Sequence, residues 1–439
     1  MDNQVNIIGG GLAGCECALY LANHGVKVNL YDIKPIKYTP AHHSPNLAEL
    51  VCSNSLKSND IYGNACGLLK EEMRILGSSL IKIADQTKVP AGNALAVNRE
   101  DFSSQITALI KQNKNITVIP KEVTSLDDLT GYTVIATGPL TTDDLAQSIS
   151  KITGQKMYFF DAAAPIISAD SIDMDSAFVG DRWDKGNGDH INCPISKLEY
   201  EAFYTELINA QRAEQKDFEN SSVFEGCMPI EVMASRGVDT LRFGPLKPAG
   251  LTDPKTGRWP YACLQLRRED KDGQMYNLVG FQTNLLWGEQ KRVFALIPAL
   301  KNAEYFRYGV MHKNSYIRSP GILNADFSLI QNNKIFFAGQ ITGVEGYVES
   351  MASGLLVAIN ILLNIKGVSS LQLDNTTVLG ALSNYIATPS VDFQPMNANF
   401  GILANIEMVK KDKALKKRLQ ADRSLQTIKN IQNYLDGVI

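Results

Sequence analysis

"VNIIGGGLAGCECALYLANHGVKVNLYD", Val5 to Asp32, decides the fold of this 439-residue chain. Val5 to Ile8 is a short apolar run of the kind that forms a buried strand, and Ala13 to Asn23 has helical composition. Gly25 stops that helix before a second strand, Val26 to Tyr31. Between first strand and helix, Gly9, Gly11 and Gly14 complete G-x-G-x-x-G. The first glycine allows the tight turn, the second lets backbone approach a pyrophosphate, and the third lets helix pack on strand. With Gly10, Leu12 and Ala13 they build a turn whose free N–H groups face phosphate at the helix N-terminus. Asp32, at the end of the second strand, is placed to bond a ribose hydroxyl. Strand, turn, helix, strand and acid in this order predict a dinucleotide-binding α/β domain of Rossmann type.

Two later segments bear on which dinucleotide. "GYTVIATG" (Gly131 to Gly138) reads as a strand ending in Thr-Gly, and "KIFFAGQITGVEGYVESMASGLLVAI" (Lys334 to Ile359) as strand, glycine-rich turn and long apolar helix. A chain-distant return of this kind resembles two-part FAD folds, with Gly339 and Gln340 at the second approach to the cofactor. Gln340 stands where flavoprotein reductases usually carry an acid. A second G-x-G-x-x-G is missing, so the expectation is tightly held FAD and, at most, transient NAD(P)H.

Between residues 186 and 312 the pattern changes to short β-like runs and turns after an amphipathic helix, "LEYEAFYTELINAQRAEQKDF". The expected organisation is a split FAD-binding domain, residues 1–185 and 313–439, around an inserted α+β domain, residues 186–312. From Arg236 to Arg268 seven basic residues stand against two acidic, with Trp259 and Tyr261 among them. Cations interleaved with aromatic faces suit an RNA backbone and an unstacked base; a turn-rich surface whose arginines pair with acids elsewhere is the plainer alternative. The C-terminal "EMVKKDKALKKRLQADRSLQTIKN" is a basic helix, read first as a solvated face and second as an RNA contact.

Charge and cysteine usage exclude other classes. With 43 basic and 46 acidic residues, net −3, the chain is not a general nucleic-acid coat. Seven cysteines without a C-x-x-C pair argue against a disulfide framework and a structural metal site, and for a reducing cytoplasm. "MDNQVNIIGGG" lacks a basic n-region, so no signal peptide is expected, and "GLLVAINILLNI" is short for a membrane span. Cys15, Cys17, Cys66, Cys193 and Cys263 read as structural. Cys52, in "ELVCSNSLKS", and Cys227, in "FEGCMP", differ because each lies in a short loop with small or polar neighbours.

The blocks "GGGLAG", "TPAHHSPNLAELVCSNSLKS", "VPAGNALAV", "FEGCMPIEVMASRG", "TLRFGPLKPAGL", "RYGVMHKN", "FFAGQITGVEGYVES" and "FQPMNANFG" run from residue 9 to about residue 401. Together they resemble the folate- and FAD-dependent tRNA (uracil-5-)-methyltransferases, whose fold is related to the glucose-inhibited division protein A family. The resemblance implies one-carbon transfer from 5,10-methylenetetrahydrofolate to uracil C5, with FAD as reductant and NAD(P)H as electron source. It implies Cys227 as the nucleophile at uracil C6, Cys52 as the base that takes the C5 proton, Tyr347 near the isoalloxazine, and His312 against the folate pterin. The many Asn, Ile and Lys residues suggest an AT-rich genome of the mollicute kind, where similar proteins methylate a uridine of 23S ribosomal RNA. That target stands as the alternative, with a flavin oxidoreductase of a small molecule or an inactive FAD-binding RNA chaperone as further ones.

Overall fold

The strand Gln4–Ile8 exposes only its first residue, and a strand buried on both faces needs a neighbour along each edge and a layer above and below. The computed structural model describes residues 4–155, 157, 159–162, 164–184, 188–213, 228–268, 273–309, 311–389, 393, 395–406 and 412–439. In it Gln4–Ile8 lies inside a six-stranded sheet, ordered Ser328–Leu329, Asn332–Phe337, Tyr132–Ile135, Gln4–Ile8, Lys27–Asp32, Ile116–Pro120. All neighbours run parallel except the first pair. Ile7 faces Leu30 on one side and Val134 on the other, so the chain returns beside its first strand after about a hundred residues and again near residue 335.

The helix Leu12–Asn23 is buried from Leu12 to Ala22 because it is covered twice, by the sheet and by helix Tyr347–Ile365. That second helix is long and apolar enough to cross a membrane, yet it is buried from Val348 to Leu363 as the central helix of the core. The two touch backbone to backbone: a Cβ on Gly354 would stand 2.2 Å from the Ala13 carbonyl oxygen. Two buried glutamates tie the outer helices to this centre. Glu16 accepts from Ser79 N (2.9 Å), Leu80 N (3.1 Å) and the Ser78 hydroxyl (2.7 Å), capping helix Ser79–Gln86. Glu72 accepts from Val378 N (2.7 Å) and Leu379 N (2.8 Å), capping helix Val378–Ala387, and from Ser424 of the C-terminal helix Lys413–Val438. Carboxylates at helix N-termini satisfy N–H groups that have no intrahelical partner.

A second, antiparallel sheet has the order Phe178–Val179, His190–Ile195, Ala262–Arg268, Met275–Leu278, Ile166–Ser168, Tyr305–Arg307. Two of its strands, Ile166–Ser168 and Phe178–Val179, precede residue 186, so this sheet begins ahead of the boundary expected from composition. Its alternation is regular. Ala262, Leu264 and Leu266 point into a core with helix Lys197–Asn209, where Phe203 stacks on Phe281 (centroids 6.0 Å apart) and Phe281 meets Phe294 edge to face (5.2 Å). Gln265 and Arg267 point the other way, and Arg267 reaches Ser53 of the first domain. The chain passes between the two units through Phe159–Ala162 and Met311–Asn314, which pair antiparallel with each other.

Candidate active site

A cleft of about 1330 Å³, counting the open solvent at its mouth, lies at the carboxyl ends of Gln4–Ile8, Lys27–Asp32 and Tyr132–Ile135. This is the point where strand order reverses, the expected binding crevice of an open parallel sheet. Its floor is the glycine turn. Gly9 has φ +106°, and a Cβ there would lie 2.5 Å from the Ala136 carbonyl oxygen; on Gly14 it would lie 1.9 Å from Gly9 O. On Gly11 it would meet nothing within 4 Å. The turn is therefore pressed against protein on one side and open to the cleft on the other. Gly11 precedes helix Leu12–Asn23 with no side chain capping it, which leaves the first-turn N–H groups for an anion. Asp32 lines the cleft while accepting Gly10 N (2.7 Å) and Lys34 N (2.8 Å), so its carboxylate is fixed at the rim with lone pairs to spare. Gly9, Gly10, Gly11, Leu12 and Ala13 all line the space; Gly14 supports them from behind. These features fit the diphosphate and ribose of FAD.

Cys52 lies on the wall of the same cleft, half-buried. Its loop is laid over the glycine turn, with Ala48 N donating to Gly10 O (2.8 Å). Tyr347, at the start of the long helix, also lines the cleft, and its hydroxyl oxygen accepts Cys52 N (2.7 Å) and Ser53 N (3.3 Å). Burial, and then the neighbouring Cys52, push the Tyr347 phenol above its ordinary range, so it stays protonated. The carbonyls of the loop are held by arginines. Arg99 donates to Leu50 O (2.9 Å), and Arg307 to Val51 O (2.6 Å) and Cys52 O (3.4 Å). Arg267 reaches the Ser53 hydroxyl and Asn54, while Asn54 Nδ2 donates to Arg268 O at 2.8 Å. Two chain-distant halves thus meet on one cysteine loop.

Gly339 and Gln340 line the cleft from the returning strand. Gln340 Nε2 donates to Glu345 Oε2 at 2.9 Å; an acid at 340 would face that carboxylate, which accounts for the amide there. Below it, the fully buried Glu349 pairs with Lys57 (2.8 Å) and accepts Ala398 N (3.0 Å), fixing the start of the helix that carries Tyr347. His312 sits in the connecting ribbon opposite Asp161, three residues before Ser315, whose N–H donates to the cleft-lining Pro139 (2.6 Å). Cys227 lies outside the described residues. Sequence reasoning missed Arg99, Arg307 and the Lys57–Glu349 pair. Arg307 and Glu349 both occur within motif blocks, but a side chain that serves a distant carbonyl or lysine leaves no local pattern.

The other thiols are chemically quiet. Cys15, Cys17, Cys66, Cys193 and Cys263 are buried, and burial pushes Cys66 and Cys263 up to about 12. His42, on the cleft wall with Thr39 against its Nδ1 (2.6 Å), is lowered by burial and by Lys34, which favours its neutral form. Among the described residues no cluster of three or more His, Cys, Asp or Glu has metal-holding geometry.

Comparison with known proteins agrees with this geometry. Residues 4–369 match the family described as Glucose inhibited division protein A. The methylenetetrahydrofolate–tRNA-(uracil-5-)-methyltransferase TrmFO of Acetivibrio thermocellus is 54% identical over 431 residues, 98% of either chain. The protein of the same name from Bacillus cereus strain AH187 is 52% identical, over 98% of this chain and 99% of the relative. The solved structure of Aquifex aeolicus GidA superposes with a TM-score of 0.72 at 16% identity, over 99% of this chain and 74% of that one, a likeness of fold.

Proposed function

The chain belongs to the glucose inhibited division protein A family and, within it, to the methylenetetrahydrofolate–tRNA-(uracil-5-)-methyltransferases; from that premise we propose that it methylates C5 of a tRNA uridine, at the T-loop. The observation that carries the reading is identity of 52–54% across nearly the whole of each chain. The 23S ribosomal RNA and small-molecule alternatives gain no support from these relatives. FAD, when bound, supplies the electrons that turn the methylene of 5,10-methylenetetrahydrofolate into methyl, and NAD(P)H replaces them.

The chain's own residues divide the remaining work. The glycine turn and Asp32 hold the dinucleotide, with Gly339, Gln340 and Tyr347 beside it. Uracil C5 is a poor nucleophile until a group adds at C6. The Cys227 thiolate forms a bond to C6, which makes C5 an enolate carbon able to take the one-carbon unit. The Cys52 thiolate then removes the C5 proton, and Cys227 leaves as C5=C6 re-forms. Tyr347 and Arg307 keep the Cys52 loop at the cleft wall, which supports this assignment. His312 contributes to folate binding from the connecting ribbon. A tRNA substrate, as the names of the relatives give it, supports a cytoplasmic setting.

The test is labelled one-carbon transfer from 5,10-methylenetetrahydrofolate, with tRNA, 23S ribosomal RNA and no RNA as parallel arms. Label is expected in tRNA and is lost in Cys52→Ala and Cys227→Ala. A covalent adduct with 5-fluorouracil-containing tRNA is expected to survive Cys52→Ala and to vanish in Cys227→Ala. Label in ribosomal RNA alone would move the reading to that target.

A further inference from the structure

Away from the cleft, all three of the chain's tryptophans are exposed, and two of them touch. Trp183 (59% exposed) and Trp259 (50% exposed) meet edge to face, centroids 5.3 Å apart. An exposed indole pair is a feature to explain, because large apolar surface in water usually has a partner.

The pair is built with some care. Trp183 holds φ +59°, a left-handed conformation that a bulky residue adopts at a cost. Its backbone N–H donates to Gly250 O (2.8 Å), and a Cβ on Gly250 would stand 2.7 Å from the indole. Arg182 fastens the same turn to Ala249 O and to Gln265 Oε1, both at 2.8 Å.

The surrounding charge says what the pair meets. In the basic stretch, Arg242 is committed to Asp239 and the Tyr261 ring, and Arg267 to the Cys52 loop. Lys255 donates to the Asp175 carbonyl; Lys247 and Arg258 are exposed, and neither side chain bonds a described residue. A chain of net −3 thus presents two uncommitted cations, Lys247 three residues before the Gly250 that packs on Trp183 and Arg258 next to Trp259 in sequence. Position matters too. Gln265, which anchors Arg182, and Arg267, which reaches Ser53, lie two residues apart on one strand face, roughly 7 Å. A polymer engaged at the Cys52 cleft can extend to this surface.

We propose that Trp183 and Trp259, with Lys247 and Arg258, form a landing surface for the RNA substrate, on which an unpaired base stacks while the cations meet phosphates. This rests on tRNA being the substrate. The experiment measures equilibrium binding of an unmodified tRNA transcript to the FAD-loaded, full-length protein without folate, so that it reads the surface whether or not methyl transfer occurs. Wild-type methylation, assayed in parallel, tests the reaction by itself. Trp259→Ala is expected to weaken tRNA binding about tenfold, with FAD content and melting temperature kept and most affinity restored by Trp259→Phe. Lys247→Ala/Arg258→Ala is expected to reduce the salt dependence of log Kd by about two phosphate contacts. Unchanged tRNA affinity in both variants overturns the proposal. So does a change in sedimentation of the protein alone on Trp259→Ala, which would make the pair a contact between copies.

Discussion

In the nucleotide-binding half, the Cys52 loop is held at close range: Ala48 bonds to Gly10, Tyr347 receives two backbone N–H groups, Arg99 donates to Leu50 O, and a helix core stands directly behind. In the half that begins at Ile166, the same loop is reached by long side chains, Arg307 and Arg267, from a sheet whose own core lies elsewhere. One half forms the site and the other reaches into it. Close backbone contact is rigid and intolerant of added atoms. Guanidinium-to-carbonyl bonds fix a loop in position without contributing to either core. Damage to the first half should therefore appear as loss of fold and cofactor, and damage to the second as loss of turnover in a protein that still holds its flavin.

The sharpest way to break this comparison is Gly354→Leu. Its Cβ would lie 2.2 Å from Ala13 O, so the long helix must move off the glycine turn. We expect a loss of about 3 kcal/mol or more, read as a drop in melting temperature together with loss of flavin absorbance. A variant with wild-type melting and full flavin would mean that the first half is not governed by that contact.

Arg307→Met tests the other side. It keeps much of the side-chain length and removes the donors to Val51 O and Cys52 O. Charged hydrogen bonds of this kind contribute about 1.5–3 kcal/mol, so kcat should fall ten- to a hundredfold. Flavin content and the KM for folate are expected to stay close to wild type. Loss of flavin instead would show that the second half helps to build the site.

The same contrast separates what the sequence revealed from what it hid. The turn Gly9–Gly14 was legible because a Cβ at Gly9 or Gly14 would stand 2.5 or 1.9 Å from a carbonyl oxygen, so only glycine fits, and its strand and helix limits fell within a residue of those observed. Cys52 stood out through its polar loop. The second sheet was less readable: Ile166–Ser168 sits between strands more than a hundred residues away, Met275–Leu278 and Tyr305–Arg307. Such pairing leaves only short apolar runs in the sequence. Gln340 was seen as a departure, but its reason, the carboxylate of Glu345, appears only once the turn closes.

The gentlest test lies in the first half, at Glu72, buried between three helices. Burial pushes its carboxyl up to about 7, against the opposing pull of Ser424, Val378 and Leu379. A folded value above the unfolded one, near 4.5, means that the folded state holds the proton more tightly. The stability this provides is complete below pH 4.5 and is lost as pH rises through 7. Within that window Glu72 should remove about 1 kcal/mol of stability per pH unit. Glu72→Gln cannot titrate, so it should flatten the fall of melting temperature between pH 5 and 7. In the acid range it should also be the less stable protein, because its NH2 group faces a donor where a carboxyl keeps an acceptor on both oxygens. Glu16, raised to about 7 in the same way at the next helix cap, contributes to the remaining slope together with the buried Glu231, which is also raised. An unchanged slope in Glu72→Gln would mean that the donors outweigh burial and keep the carboxylate charged, so that the helix-capping core is held by ionic bonds just as the Cys52 loop is from the other side.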